Sequence, residues 1–303
     1  MRAVLGVLAA LTLAAAGGCG DDLPSGEARG GPGQLEPGGT IRIAVADPVR
    51  DTDPLTAATR SERLAARQVH EPLVSQQSGP FDATDRLPGL VRRASSSAGG
   101  TIWTLHLRDG VRFQDGAAFD ADAVLANADR WRSSGYLDGV EAVDSPRPGI
   151  VRFQLSRSDS RFPLVLTSSR LGVVAPAALA GSAPIGPMSG TGPFELRERD
   201  PGMTLLARNS GWWGTRLGLG PGVDQIELAT ERSEGERADV LVEGSAQIAD
   251  QLGPASLGRL RQDPLVTAVR GAGAVIGFDR SVRGLDSSRA DQSLADVWLT
   301  ELR

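Results

Sequence analysis

Residues Thr101 to Trp131, TIWTLHLRDGVRFQDGAAFDADAVLANADRW, decide how this chain is read. Trp103, Leu105 and Leu107 alternate with polar residues, as a half-buried strand requires. Val111 and Phe113 repeat the alternation on a returning strand. A two-residue turn at Asp109-Gly110 would set Leu107 opposite Arg112 and mix apolar with charged side chains on one face. A three-residue loop, Arg108-Asp109-Gly110, sets Leu107 opposite Val111 and Leu105 opposite Phe113, with Gly110 in the left-handed conformation such a loop needs. A β-hairpin is therefore expected. Beyond Asp115-Gly116, Asp120 stands where it can cap a helix, and Val124, Ala128 and Trp131 fall on one side of that helix. The stretch carries no catalytic arrangement; it is a piece of fold.

Around it, Thr40 to Ala46 reads as a buried strand, followed by a loop bounded by Asp47-Pro48 and Asp53-Pro54. Ser61 to Leu73 reads as a helix with Leu64, Ala65, Gln68 and Leu73 on its stripe. Ile150 to Leu155 is a further strand, and Leu171-Gly172-Val173-Val174 a short central one. Gly186 to Gly192 is a Gly/Pro-rich loop, with strands at 194–199, 203–208 and 223–228 after it. Leu265–Val269 and Ala272–Phe278 follow. Ser293-Leu294-Ala295-Asp296 has the form of a capping box, opening a last helix with Leu294, Val297, Trp298 and Leu302 buried.

The 303 residues, 40% of them hydrophobic, suffice for one or two packed domains. All 32 basic residues are Arg, as a GC-rich coding bias produces, and the net charge of −5 argues against a nucleic-acid surface. Arg2, the apolar run Val4 to Ala16 and then Gly17-Gly18-Cys19 read as an export signal, too short to span a bilayer permanently. Cys19 is the single cysteine, so no intrachain disulfide forms. Gly20 to Gly39, with seven glycines and three prolines, reads as a flexible tether.

The quoted block resembles the peptide- and nickel-binding branch of the bacterial solute-binding proteins, family 5, the extracytoplasmic receptors of ABC importers. Its pattern appears as Leu107-Arg108-Asp109-Gly110-Val111-Arg112-Phe113-Gln114-Asp115-Gly116, then Ala121-Asp122-Ala123-Val124, with Ala123 where Asp is usual. Gly190-Thr191-Gly192-Pro193-Phe194 and Arg208-Asn209 with Trp212-Trp213-Gly214 agree with it. So do Glu71-Pro72-Leu73-Val74, with His70 replacing an aromatic, and Gly244 to Asp250, with Gln247 replacing Asp. The resemblance implies an α/β, periplasmic-binding-protein-like fold of type II, cluster C: a mixed-sheet lobe with an inserted smaller α+β domain, the closing lobe largely absent. The expected divisions are a signal peptide and lipobox at 1–19, the tether at 20–39, a first lobe at 40–74 plus 162–303, and an inserted second domain at 75–161. Cys19 resembles a lipobox cysteine, with Ala16 in place of the usual Leu, which implies lipidation.

The function implied is that of an exported lipoprotein on the outer face of the cytoplasmic membrane. Its partners would be a small-molecule or peptide solute, the ABC permease subunits and, through its lipid, the membrane. The alternative is a non-transport interaction or sensor lipoprotein on a truncated scaffold. No cofactor and no metal are expected: His70 and His106 lack companions at ligand spacing. No enzyme is expected either. Gly186-Pro187-Met188-Ser189-Gly190 puts its serine one place off a nucleophile elbow, and without Lys there is no Walker A loop. Ligands of two-lobed α/β proteins lie at the carboxyl ends of strands. That singles out Asp47 and Asp53 after the first strand, Ser169 and Arg170 before the expected central strand, and Thr191 and Gly192 in the glycine loop. For the last two the structural-turn reading is preferred, an internal ion pair is the commoner fate of an Arg such as Arg170, and Trp212 and Trp213 read as core.

Overall fold

The computed structural model describes residues 38–75, 89–181, 185–218, 221–260, 266–271 and 274–279. Cys19 and the export signal, the tether up to Pro37 and the expected helix from Ser293 lie outside the described residues. In chain order the elements are β1 (Thr40–Val45), α1 (Arg60–Val69), β2 (Val91–Ser97), β3 (Ile102–Leu107), α2 (Ala121–Ser133), β4 (Val140–Arg147) and β5 (Ile150–Leu155). Then come α3 (Phe162–Val165), α4 (Pro176–Leu179), β6 (Phe194–Arg199), β7 (Met203–Arg208), β8 (Gln225–Thr230), α5 (Glu234–Val242), β9 (Ile248–Ala249), α6 (Pro254–Leu260), β10 (Val266–Gly271) and β11 (Ala274–Asp279).

They form two sheets. The larger is mixed, in the order β10-β11-β9-β1-β8-β7-β6, with β1 central and parallel to both β8 and β9. Ile41 and Ile43 of β1 face Leu64, Ala65 and Val69 of α1, with Leu206 and Ile226 beside them. On the opposite face Ala44 and Ala249 are small enough for α5 to approach, through Ala238 and Leu241. Both helices start on capping boxes, Thr59 with Glu62 and Ser233 with Glu236, which satisfy backbone donors the helix cannot. Gln247 extends the ladder: its side-chain oxygen accepts the Arg42 N–H at 2.8 Å, and its own N–H donates to the Arg42 carbonyl. Gly38 and Gly39, assigned to the tether, donate to the Gly222 carbonyl and to Asp224.

The smaller sheet is antiparallel, in the order β2-β3-β5-β4. Asp120 caps α2 through the Ala123 N–H at 3.0 Å, and Val124, Ala128 and Trp131 are buried against the sheet, as their spacing predicts. Leu105, Val151 and Phe153 are fully buried; each contributes roughly 1.5–3 kcal/mol.

Three expectations are corrected. The hairpin from Leu107 to Phe113 does not form. Leu107 pairs with Val91 and Leu105 with both Ala94 and Val151, so each edge of β3 is already taken. Residues Arg108 to Asp120 make a loop instead, closed by the Phe119 N–H on the Val111 carbonyl. Val111, Phe113 and Phe119 plug it into the core, with the two Phe rings edge-on at 6.1 Å. The alternation therefore marked burial without marking a strand; Gly110 does take positive φ, at 74°. The helix expected to reach Leu73 ends at Val69, because Pro72 lacks an N–H and biases the residue before it away from helix. Leu171 to Val174 is no central strand. Ser169–Leu171 is a 3-10 turn, and the run makes only an isolated bridge between Gly172 and Pro72, though Val173 and Val174 are fully buried.

Candidate functional site

The loop leaving β1 is tied down on two sides. The Asp53 carboxylate accepts the Leu55 N–H at 2.9 Å and pairs with Arg130 of α2. Arg170 donates to the Leu55 carbonyl at 3.2 Å, with its guanidinium 5.7 Å from the Tyr136 ring centre. Ser169 lies next to it in the same 3-10 turn. Asp47 stands half-buried just past β1, its N–H on the Ser61 hydroxyl at 3.4 Å. Asp53 and Arg170, distant in sequence, thus brace one loop.

A second group lies at the carboxyl end of β9, which pairs with β1. Asp250, at the carboxyl end of β9, is fully buried and takes the Arg60 Nε at 2.6 Å. Burial raises its carboxyl above the ordinary range, against the pull of Arg60 and Arg237. Arg237 is buried too, and gives all its hydrogen bonds to backbone: the carbonyls of Asp250, Gln251, Glu231 and Arg232 at 2.7–3.0 Å. It clamps the segments that leave β8 and β9. Gln251 has a φ of 55°, a conformation that non-glycine residues hold only under constraint. The signal that could have found this group is a buried-strand pattern ending in Asp250 and followed by a polar residue.

Thr191 and Gly192 lie elsewhere, against the end of α1. The Gly192 N–H is spent on the Val69 carbonyl at 2.9 Å, and its own carbonyl accepts from Asn209 at 2.9 Å. A side chain at Gly190 or Gly192 would overlap the Val69 backbone. Thr191 is buried beside Glu71. Although Glu71 is half-buried as a residue, its carboxylate is closed off by Trp212 and Trp213, and burial pushes it up to about 7. His70 is wholly buried, its Nδ1 3.2 Å from the Val173 carbonyl, and burial holds it down at about 4.

The arrangement is suited to non-covalent work. At the carboxyl ends of β1 and β9, Arg60 and Asp250 are paired and Arg237 is bonded to backbone. Among the described residues, no three His, Cys, Asp or Glu are placed to hold a metal, and no helix is long and apolar enough to cross a membrane.

Residues 86–281 match the family model for bacterial extracellular solute-binding proteins, family 5, middle section. The chain belongs to that family. Family 5 relatives include the glutathione-binding protein GsiB of Escherichia coli K12, 27% identical over 227 residues, covering 69% of this chain and 41% of the relative. GsiB of Salmonella paratyphi A is 30% identical over 164 residues, 50% of this chain and 31% of the relative. Solved structures share the fold. The periplasmic binding protein DppA of Helicobacter pylori, in complex with the peptide STSA, superposes with a TM-score of 0.65 at 18% identity, over 78% of this chain and 51% of that one. NikA of Brucella suis, in complex with Fe(III)-EDTA, gives 0.64 at 23%, over 76% and 48%. The fold is that of the peptide- and nickel-type periplasmic binding proteins, and the family 5 chain spans about two fifths of the length of GsiB.

Proposed function

We propose that this chain captures a small peptide-like solute without chemistry and presents it to the permease of an ABC importer, anchored by lipid on Cys19 to the outer face of the cytoplasmic membrane. The observation that carries the reading is the position of Asp47, Arg60, Asp250 and Gln251. They gather at the carboxyl ends of the parallel strands β1 and β9, where sheets of this kind take ligands, beside a loop braced by Asp53 and Arg170. A peptide-like solute is favoured because relatives are named for glutathione and one is solved with a tetrapeptide.

A thermal-shift screen of the full chain against glutathione, short peptides, amino acids, sugars and nickel tests this. A bound solute raises the melting temperature by mass action, increasingly with concentration. No shift with any of them, together with co-purification of a protein partner, would replace solute capture by the interaction or sensor role. For the anchor, Cys19→Ala moves the protein from the membrane to the soluble fraction; a variant that stays with the membrane removes the lipid from the account.

A further inference from the structure

We propose a second ligand site, on the smaller sheet, that takes a free amino acid with an apolar side chain in its zwitterionic form. A cavity of about 330 Å³ opens between the loop after α2, the end of β5 and α3. It lies apart from the carboxyl ends of β1 and β9, so it does not rest on the solute reading above.

The floor is apolar and firm. Leu137 and Phe162 are each 3% exposed, and Phe162 is held by the Phe153 ring at 5.3 Å and the Trp103 ring at 6.5 Å. Val165, 38% exposed, continues this lining to the mouth. The lining also carries charge of both signs, on Asp138, Asp159 and Arg157. Asp159 is fixed in place. Its carbonyl accepts the Trp103 indole N–H at 3.0 Å, and its Oδ1 accepts the Arg161 N–H at 2.8 Å. A carboxylate accepts several donors, so a ligand ammonium can share it.

This combination selects among ligands. The volume is at the lower end of the roughly 300–1,000 Å³ of small-molecule sites, a size that suits a single amino acid. An apolar side chain gains by leaving water for Leu137, Phe162 and Val165. An ammonium answers Asp138 and Asp159, and a carboxylate answers Arg157, whose planar fork matches it. An amine alone leaves Arg157 unanswered, and an acid alone meets two carboxylates.

The test is calorimetric titration of the full chain with L-leucine, isoamylamine and 4-methylvalerate, which share the apolar body and differ in charge. Leucine is expected to bind saturably, and each analogue about tenfold more weakly, as loss of one charged hydrogen-bonding partner implies. Arg157→Gln is expected to weaken leucine about tenfold and leave isoamylamine unchanged. Val165→Trp, which fills the cavity beside Phe162, is expected to abolish leucine binding. Asp138, Arg157 and Val165 are all exposed, and circular dichroism checks that the variants stay folded. Leucine binding unchanged in both Val165→Trp and Arg157→Gln would place the amino acid elsewhere and overturn the proposal. So would the absence of saturable leucine binding to the folded parent chain.

Discussion

The Glu71 carboxylate accepts the indole N–H of Trp213 at 2.8 Å, joining two segments 142 residues apart. Trp212 donates to the same carboxylate at 3.4 Å, and the Arg108 guanidinium lies 4.4 Å over the Trp213 ring. Nearby, the Gln114 side chain donates to the Phe194 carbonyl at 2.7 Å and Asn209 to the Gly192 carbonyl. Every one of these residues belongs to a stretch that carried the family resemblance. Those stretches meet in one knot of packing and hydrogen bonds between the two sheets, which accounts for their shared pattern without invoking a ligand.

Trp213→Phe keeps the ring in the core and removes only the N–H. Glu71 then loses its shortest donor inside a site closed to water. The cost is expected to be about 1–3 kcal/mol, read from urea unfolding midpoints. A change within experimental error would mean that the carboxylate finds a replacement donor.

His70 and Glu71 are neighbours whose protons push stability in opposite directions. Burial raises Glu71 from near 4.5 to about 7, so the folded chain keeps a proton that the unfolded chain has lost. Its contribution is full below pH 4.5 and is lost as pH rises toward 7. Burial lowers His70 from near 6.5 to about 4, so the folded chain lacks a proton that the unfolded chain takes up. That contribution is full above pH 6.5 and is lost as pH falls toward 4. Between pH 4.5 and 6.5 the two slopes oppose. Glu71→Gln should leave stability rising with pH across this window, and His70→Gln should leave it falling. Unfolding curves for both variants that stay parallel to the parent across the window would remove these two groups from its pH dependence.

Gly190→Ala is expected to destabilise the fold by about 3 kcal/mol or more, because the added methyl overlaps the Val69 carbonyl at the end of α1. Gly186→Ala, four residues earlier in the same loop, meets nothing within 4 Å and should be nearly silent. Equal melting temperatures for the two would show that the loop lifts off the helix at little cost.

Local chemistry made much of this legible. Asp120 before an apolar stripe, the strand expected over Thr40 to Ala46, which forms over Thr40–Val45, and the strands at 194–199 and 203–208 all follow from neighbours in sequence. What escaped depends on partners remote in the chain. Leu107 does not show that Val91 occupies its edge, so Val111 and Phe113 carry a strand-like alternation in a loop. Asp47, Asp53, Ser169, Arg170, Thr191 and Gly192 stand out in the sequence only by their position relative to expected strands. The fold gathers Asp53, Ser169 and Arg170 around one loop and sends Thr191 and Gly192 to the end of α1. Asp250 closes a stretch that resembles the family, but its pairing rests on Arg60, 190 residues away, which no local pattern shows.

That pair supports the last prediction. Asp250 is wholly buried and pairs with Arg60, so Asp250→Ala strips the Arg60 guanidinium of its carboxylate and removes a nearby negative charge that favours the buried Arg237. The expected loss is about 3–5 kcal/mol. The double change Arg60→Met with Asp250→Leu should recover most of it, since it removes the stranded charge and leaves Arg237 with the four backbone carbonyls it already holds. Arg237→Met has no such rescue: four carbonyls lose their donor together, and the segments after β8 and β9 lose their clamp. A double variant no more stable than Asp250→Ala would show that the carboxylate acts chiefly through Arg237 rather than Arg60. Solute binding gives a second readout. If the Arg60–Asp250 pair shapes the ligand end of β1, the double variant should bind more weakly even where its stability is restored.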